Sequence, residues 1–238
     1  MSGTLYLVPN LLGAVPPSRV LPQHTIETAR RITHWAVETP KPARAFLKAL
    51  EMSVPIVSLE IRTFPEPSTA DDMAALLAPA HHGADLGVLT DAGCPGIADP
   101  GALLVAAAHE ASMRVVPLVG PSAILLALMA SGMNGQQFAF HGYLPAKSES
   151  RAEALRALEA DSRAHRRTAL FIETPYRNVA MLETIIDALK PPTVVCVAAD
   201  LTLDTETIER RTVRGWRQSD IRRFAKRPVT TSRGVRSA

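Results

Sequence analysis

Cysteine is nearly absent from the sequence, and so are the short motifs of several large enzyme classes. The 238 residues include only Cys94 and Cys196, too few for a disulfide framework and without the Cys-x-x-Cys spacing of a zinc site. The sequence also has no Gly-x-Gly-x-x-Gly, Gly-Lys-Ser/Thr, His-Glu-x-x-His or Gly-x-Ser-x-Gly. We therefore predict no metal site and exclude the common dinucleotide-binding enzymes, P-loop NTPases, zinc metalloproteases and serine hydrolases.

Long apolar runs are missing as well. No stretch approaches the roughly 20 uninterrupted apolar residues that a membrane span needs, and the first residues lack a basic region followed by an apolar signal core. Hydrophobic residues make up 47% of the chain and charged residues 21%, close to ordinary globular usage. We therefore expect a soluble, cytoplasmic protein with no membrane segment, built from one large or two small domains.

Charge is distributed unevenly along the chain. Residues 209–238 carry ten of the 26 Lys and Arg but only two of the 23 Asp and Glu, which leaves 16 basic and 21 acidic residues before them. The body therefore has a net charge of about −5 and the end about +8. A basic extension of this kind suits a polyanion such as RNA, or it is a solvated, partly disordered tail.

Short β-branched or Leu-rich runs alternate with helical patterns, which is typical of an α/β protein with a largely parallel sheet. The predicted strands are 4–8, 32–37, 56–61, 86–90, 114–119, 138–142, 168–173, 193–199 and 206–213. The predicted helices are 23–31, 41–51, 69–82, 99–111, 121–131, 148–163, 175–189 and 216–226. A strand stops and a helix begins near Val119–Ser122, so we predict an N-terminal domain of residues 1–119 and a C-terminal domain of residues 120–238.

The densest cluster of small residues is Thr90–Gly101, Thr-Asp-Ala-Gly-Cys-Pro-Gly-Ile-Ala-Asp-Pro-Gly, directly after an apolar strand. Loops that leave the carboxyl ends of parallel strands are where open α/β sheets bind ligands, and small residues let the backbone approach a ligand closely. Asp99 is predicted to cap the helix whose first turn accepts Pro100. We interpret Cys94 as a small loop residue because no partner that would activate its thiolate is evident. Alternatively, the loop binds no ligand and is only a rigid strand-to-helix turn.

Two further strand exits carry polar groups. Val119–Ala123 ends in Ser122, which offers the free N–H groups of a helix N-terminus to a carboxylate or ribose hydroxyl, or is an ordinary N-cap. Leu170–Asn178 places Glu173 at the end of another strand, where it meets a cationic ligand or pairs with Arg177 four residues on.

Taken in order, these segments resemble the tetrapyrrole methylase superfamily, S-adenosylmethionine-dependent methyltransferases of two α/β domains with the cofactor in the cleft between them. Within it they are most similar to the branch that methylates the ribose 2′-hydroxyl of small-subunit ribosomal RNA. The similarity is strongest from about Leu86 to Trp216. The matching segments are Thr90–Gly101, Val119–Ala123, Phe138–Pro145, Ile172–Arg177 and Ala198–Thr202.

The resemblance implies S-adenosylmethionine as cofactor, RNA of the small ribosomal subunit as partner, and a homodimer. It implies that twelve residues bind the cofactor: Pro9, Asp91, Ala92, Gly93, Cys94, Ile97, Ser122, Ala123, Glu173, Thr174, Leu201 and Thr202. Methyl transfer from a sulfonium can be accelerated largely by positioning, so no catalytic base is assigned. A ribose hydroxyl would still benefit from a proton acceptor, for which Asn10, Glu38 and Glu173 are candidates.

Three departures from the branch pattern leave alternatives open. The front loop Pro9–Gly13 is followed by Ala14–Pro22 with no acidic residue, and Val37–Pro40 lacks the branch's Asp and Arg. These changes favour a tetrapyrrole or another small molecule as acceptor, while a non-catalytic RNA-binding relative is a third reading. Lys226–Pro228 should lead into an apolar closing strand, but residues 229–238 are mostly polar. We therefore expect that the last strand is lost or that the tail is rearranged.

Overall fold

The computed structural model describes residues 2–234, which divide between Ser122 and Ala123 into two compact units. The strands are β1 Thr4–Leu7, β2 His34–Val37, β3 Glu60–Thr63, β4 Leu86–Leu89, β5 Arg114–Pro117, β6 Phe138–Tyr143, β7 Thr168–Glu173, β8 Val194–Ala199, β9 Thr207–Thr212 and β10 Val229–Gly234. The helices are α1 Gln23–Arg31, α2 Pro40–Ala49, α3 Ala70–His81, α4 Ala102–Glu110, α5 Ala123–Ser131, α6 Ser148–His165, α7 Asn178–Ala188 and α8 Val213–Trp216. Within this range, no helix is both long and apolar enough to cross a membrane.

The first unit is built on a parallel sheet with strand order β3-β2-β4-β1-β5. All four residues of β4 are buried, as expected for a strand that is covered on both faces. In β2, Trp35 and Val37 belong to one hydrophobic cluster and Ala36 to the other, because successive side chains point to opposite faces of a sheet. Since the sheet is parallel, the carboxyl ends of β1, β2 and β4 meet at one edge.

The second unit has a mixed sheet with strand order β6-β7-β10-β8-β9. Strands β6 and β7 are parallel, whereas β10 is antiparallel to both of its neighbours, β7 and β8. Because β10 runs in the opposite direction, its first residue, Val229, lies opposite the last residues of β7 and β8, Glu173 and Ala199. The segment that enters β10 therefore reaches the edge where β7 and β8 end.

The expectation that the last strand is lost is wrong. Strand β10 pairs along its length with β7 and β8 and occupies the centre of the sheet. Thr230, Thr231 and Ser232 are all buried, Thr231 to 2% exposure, although their sequence is polar. Threonine is β-branched and suits a strand. Strands β7 and β8 provide hydrogen-bond partners for the β10 backbone, and the polar sequence of β10 gives no sign of this pairing. Residues 235–238 of the expected tail lie outside the described residues.

Two further expected elements are wrong in type or position. The predicted helix 216–226 is replaced by the short helix α8 and a 3₁₀ turn at Ile221–Phe224. The Asp220 side chain accepts a hydrogen bond from the Arg222 N–H and so starts this separate turn. The predicted strand 56–61 begins with a 3₁₀ turn at Ile56–Ser58, and β3 starts only at Glu60, opposite His34.

Candidate functional site

In the first unit, polar groups follow three adjacent strands at one edge of the sheet. Asn10 follows β1, Glu38 follows β2, and the Thr90–Gly101 loop follows β4. The Glu38 N–H donates to the Leu89 carbonyl at 3.1 Å, which extends the pairing of β2 and β4 beyond their ends. This edge is where a parallel α/β sheet presents its ligand-binding loops.

Asn10 fastens the start of the loop to the end of β1. Its side chain is buried, and Nδ2 donates to the carbonyl oxygens of Thr90 at 2.8 Å and Asp91 at 3.1 Å. The Asn10 backbone N–H also donates to the Gly93 carbonyl at 2.8 Å. A side-chain amide has two N–H donors, and here both are used by the loop. Its Oδ1 accepts a hydrogen bond from the Leu11 N–H at 2.7 Å. Asn10 therefore positions the loop, and its neutral amide is not a base.

The loop turns sharply at Gly93, where φ is +70°. A β-carbon at this position would lie 3.4 Å from Leu12 Cδ2. A residue with a side chain would also have to adopt the left-handed backbone conformation that glycine tolerates. The next residue, Cys94, donates from Sγ to the Pro121 carbonyl at 3.5 Å. Burial raises the pKa of the Cys94 thiol, which disfavours the reactive thiolate.

Asp99 does not cap the following helix, so that prediction is wrong. Helix α4 begins at Ala102, and Gly101, with φ of +130°, occupies its N-cap position without a side-chain hydrogen bond. Burial, followed by the negative charges of Glu38 and Asp91, raises the pKa of Asp99 to about 6. Asp99 thus belongs to a group of carboxylates at the sheet edge.

Glu38 is the member of this group that contacts the loop backbone. Its Oε2 accepts a hydrogen bond from the Asp91 N–H at 2.9 Å. No cationic side chain within residues 2–234 forms an ion pair with Glu38. It is therefore a carboxylate at the sheet edge whose charge is not neutralised by an Arg or Lys.

The remaining expected cofactor residues of this unit differ in their surroundings. Pro9 is buried and packs closely on Gly120, where a β-carbon would lie only 2.4 Å from Pro9 Cγ. Ala92 is exposed within the Thr90–Gly101 loop, and Ile97 is 48% exposed farther along it. Ser122 is half-buried and follows Pro121, the residue whose carbonyl contacts Cys94. The structure thus brings Pro9 and the Asp91–Cys94 segment to one edge, with Ile97 on the outer part of the loop.

In the second unit, Glu173 ends β7 and does pair with Arg177. Its Oε1 accepts hydrogen bonds from Arg177 Nε at 2.7 Å and from the Thr174 N–H at 2.6 Å. The other oxygen, Oε2, is buried and has no hydrogen-bond partner among residues 2–234. One oxygen of the carboxylate is therefore committed to the loop, and the other is buried without a hydrogen bond.

Leu201 and Thr202 follow β8 at the same edge as Glu173 and Thr174. Thr202 has a left-handed backbone with φ of +75°, and its N–H donates to Glu206 Oε2 at 2.8 Å. Its hydroxyl oxygen is buried without a partner in the described part of the chain. Ala123 is the first residue of α5 and belongs to neither loop.

A basic segment, which the sequence analysis did not identify, is hydrogen-bonded to the loops that follow β7 and β8. We define it as residues 222–228, immediately before β10. Asn178 Nδ2 donates to the carbonyls of Phe224 at 2.9 Å and Arg227 at 2.6 Å, and the Lys226 N–H donates to the Pro175 carbonyl at 3.0 Å. On the other side, Arg227 Nε donates to Asp200 Oδ2 at 2.8 Å. The only signal in the sequence was the excess of basic residues.

Curated relatives match most of this chain. No family model matches it. A protein of Escherichia coli O157:H7 is 34% identical over 206 residues, which cover 87% of this chain and 68% of the relative. A protein of Micromonospora olivasterospora is 38% identical over 211 residues, 88% of this chain and 63% of the relative. Both are named Ribosomal RNA small subunit methyltransferase I. The chain spans about two thirds of the length of the curated relatives it matches.

Solved structures confirm the predicted fold. The methyltransferase CobJ has a TM-score of 0.63 at 17% identity, with 100% of this chain and 97% of CobJ covered. The uroporphyrin-III-C-methyltransferase of Thermus thermophilus has a TM-score of 0.56 at 17% identity, with 98% and 93% covered. Both show the two-sheet α/β fold of the tetrapyrrole methylases. The sequence matches confirm the predicted enzyme class, a methyltransferase. With relatives of this identity matched along two thirds of their length, the chain belongs to the ribosomal RNA small subunit methyltransferase I family.

Proposed function

We propose that this protein is an S-adenosylmethionine-dependent methyltransferase that modifies a ribose 2′-hydroxyl of small-subunit ribosomal RNA. The observation that carries the proposal is the 34% identity with the Escherichia coli relative over 87% of the chain, which extends into both units. The altered front loop, which favoured a small-molecule acceptor, does not outweigh a match of this extent. The relatives are named for ribosomal RNA, and the fold neighbours support the fold alone.

The residues at the two sheet edges fit the proposed cofactor. Glu173 Oε2 and the Thr202 hydroxyl are buried polar atoms without partners in residues 2–234, and leaving such atoms unsatisfied is costly. An amino acid group and ribose hydroxyls on a ligand would satisfy them. In the first unit, Gly93 is buried beside Leu12, and its left-handed φ sets the turn of the loop that would hold the cofactor. We propose that the cofactor is held by the twelve residues that the resemblance implies.

When bound, S-adenosylmethionine supplies a methyl group on a positively charged sulfur. The protein's own contribution is to hold the acceptor oxygen in line with that methyl group and to exclude water. The backbone carbonyls of the Thr90–Gly101 loop and the carboxylates beside it favour a cation at this edge. Asn10 keeps the loop in place during the reaction through its two hydrogen bonds.

Of the three candidate proton acceptors, the structure favours Glu38. Asn10 has a neutral amide whose oxygen already accepts a hydrogen bond from the Leu11 N–H, and Glu173 is ion-paired with Arg177. Glu38 has no such cation, so its carboxylate can accept the proton that leaves the ribose hydroxyl. We therefore propose Glu38 as the proton acceptor.

Labelled methyl transfer tests the substrate class. Purified protein is incubated with methyl-labelled S-adenosylmethionine and with small ribosomal subunits from cells that lack this protein. A parallel reaction contains uroporphyrinogen III and no RNA. We expect label in the RNA of the subunits and none in the tetrapyrrole. Label in the tetrapyrrole alone would replace the RNA proposal with a small-molecule methyltransferase, and cofactor binding without any transfer would indicate a non-catalytic relative.

We also propose that the protein acts in the cytoplasm as a homodimer, as the family resemblance implies. Sedimentation equilibrium of the full chain should give twice the mass of one chain. Cell fractionation should recover the protein with the ribosome-containing soluble fraction.

A further inference from the structure

We propose that Tyr176 and Lys226 form a platform for one unpaired nucleotide of the RNA substrate, with Tyr176 stacking on its base and Lys226 binding its phosphate. This inference rests on the proposed function, since it names the residues of the second unit that contact the RNA. Both residues lie at the edge of the sheet where β7 ends, next to Glu173 and Thr174.

Tyr176 is an aromatic side chain that the fold leaves outside the core. It is 85% exposed, and it makes no hydrogen bond or ring contact with any residue that the structure describes. The other two aromatic side chains that are clearly exposed, Phe138 and Tyr143, are 42% and 55% exposed. A ring that presents both faces to solvent is suited to stacking against a base.

Lys226 is held beside Tyr176 by the backbone. Its N–H donates to the carbonyl of Pro175, the residue that precedes Tyr176. Asn178, two residues after Tyr176, adds two hydrogen bonds to the same basic segment through Phe224 and Arg227. Three hydrogen bonds therefore fix the segment against the loop that carries Tyr176.

The cations of the basic segment fall into two groups. Arg223 pairs with Glu209, and Arg227 pairs with Asp200, so these two stabilise the protein itself. Lys226 and Arg222 are exposed and have no ion-pair partner within residues 2–234. A cation that the protein does not neutralise is available to a phosphate, and each phosphate bound releases counterions.

The combination of a stacking ring and a free cation points to single-stranded RNA. In a double helix the bases are stacked on one another and their faces are covered, whereas bases of loops and bulges can stack on aromatic side chains. The substrate is therefore expected to present at least one unstacked nucleotide to this edge.

The test compares three variants of the full chain with the wild-type protein by fluorescence anisotropy. The probe is a 5′-labelled 12-nucleotide oligouridylate, which does not form a duplex. Tyr176→Ala should weaken binding by about 5- to 100-fold, the range for losing one stacked base, and Tyr176→Phe should retain binding within about twofold. Lys226→Gln keeps a β-carbon at a left-handed position, where φ is +60°, and removes only the charge. It should reduce the slope of log affinity against log salt by about 0.7.

Two matched substitutions at the opposite end of the sheet serve as controls. Phe138 is the first residue of β6, and Lys190 is an exposed cation before β8. Phe138→Ala should leave RNA affinity unchanged, and Lys190→Gln should leave the salt slope unchanged. Thermal unfolding of every variant verifies that it is folded.

The outcomes separate the platform from the proposed function. If the wild-type protein methylates subunit RNA but binds the oligouridylate no better than Tyr176→Ala and Lys226→Gln do, the platform is wrong and the proposed function stands. If Tyr176→Ala changes the oligomeric state in sedimentation, Tyr176 contacts a second chain and the platform is again wrong. If the wild-type protein methylates no subunit RNA, the proposed function fails and the platform fails with it.

Discussion

The two units fasten a segment at their sheet edge in the same way, with one buried asparagine each. Asn10 donates both amide hydrogens to carbonyls of the Thr90–Gly101 loop, at 2.8 and 3.1 Å. Asn178 donates to two carbonyls of the basic segment 222–228, at 2.9 and 2.6 Å. In both units one asparagine side chain thus helps to hold a segment of irregular backbone through two of its carbonyls.

The charges on the two fastened segments are opposite. The segment in the first unit carries Asp91 and Asp99 and lies beside Glu38, none of which is in an ion pair with Arg or Lys in the described chain. The segment in the second unit carries Arg222 and Lys226, which are unpaired as well. Carboxylates accept protons and attract cations, whereas cations attract phosphates. This difference agrees with the proposed roles, proton acceptance in the first unit and RNA backbone binding in the second.

The largest expected effect comes from Glu38→Gln. Glutamine still accepts the hydrogen bond from the Asp91 N–H but does not accept a proton from the substrate. The rate of methyl transfer in a single turnover at saturating cofactor and RNA should fall by about 10²- to 10⁴-fold. Glu173→Gln, in the second unit, should instead weaken cofactor binding. A Glu38→Gln rate within threefold of the wild-type rate would end the assignment of Glu38.

The next largest effects are expected for substitution of the two buried asparagines, Asn10 and Asn178. Asn10→Ala removes three side-chain hydrogen bonds and Asn178→Ala removes two. Both leave buried or part-buried carbonyls without partners, so each should lower the free energy of unfolding by about 2–3 kcal/mol in urea denaturation. Asn10→Ala should weaken cofactor binding more, and Asn178→Ala should weaken RNA binding more.

Asn134→Ala is the matched control, because the Asn134 side chain also makes several hydrogen bonds, to the Arg166 carbonyl and from the Gln136 and Gln137 N–H groups, but all of them are exposed to solvent. It should change stability by less than about 1 kcal/mol. Equal effects of Asn10→Ala and Asn178→Ala on both ligands would contradict the division between the units.

A smaller effect is expected for Gly93→Val. A left-handed backbone costs a β-branched residue about 1–2 kcal/mol, and the new side chain would contact Leu12. Affinity for S-adenosylmethionine, measured by calorimetry, should fall by about tenfold or more. Gly135→Val adds the same side chain where nothing lies within 4 Å, and its affinity should equal that of the wild-type protein. Unchanged affinity in Gly93→Val would remove Gly93 from the cofactor site.

The smallest effect is a pH dependence of stability. The pKa of Asp99 is about 6 in the folded protein and near 3.8 when unperturbed, so the folded state binds its proton more tightly. The stability that Asp99 contributes is therefore present below pH 4 and is lost as the pH rises through 6. Asp99→Asn should abolish this loss, so that the variant is more stable than the wild-type protein at pH 8 but not at pH 4.

Asp72 provides a control of opposite sign. Hydrogen bonds from the Thr69 side chain and backbone lower the pKa of Asp72, so its contribution is present above the unfolded pKa and is lost as the pH falls through the lower, folded value. Asp72→Asn should therefore be less stable than the wild-type protein at pH 8 and approach it in acid. Urea midpoints at several pH values measure both variants, and parallel curves for Asp99→Asn and the wild-type protein would refute the raised pKa.

Local sequence was sufficient for most of the regular structure. The bounds of α1 and β7 agree with their predictions, because Pro22 marks the start of α1 and β7 is an apolar run that ends shortly before Pro175. Strand β10 was missed because Thr-Thr-Ser-Arg is polar, and its burial depends on β7 and β8, which come from elsewhere in the chain. A single-sequence pattern carries no information on such neighbours.

For the candidate site, the sequence likewise predicted local features but not long-range contacts. The loops that follow strands, such as Thr90–Gly101, could be found because Gly and Pro mark them. The hydrogen bonds that hold these segments could not be predicted, because Asn10 and Thr90 are 80 residues apart in sequence and Asn178 and Phe224 are 46 residues apart. The role predicted for Asp99 was wrong because Gly101 takes the N-cap position.

The position of the transferred methyl group within the nucleotide tests the central proposal most directly. Small-subunit RNA labelled by the wild-type protein is hydrolysed in alkali, which cleaves a phosphodiester only where the neighbouring 2′-hydroxyl is free. We predict that the label remains in an alkali-resistant dinucleotide, because its ribose oxygen is methylated. Label released in single nucleotides would place the methyl group on a base and contradict the proposed ribose chemistry.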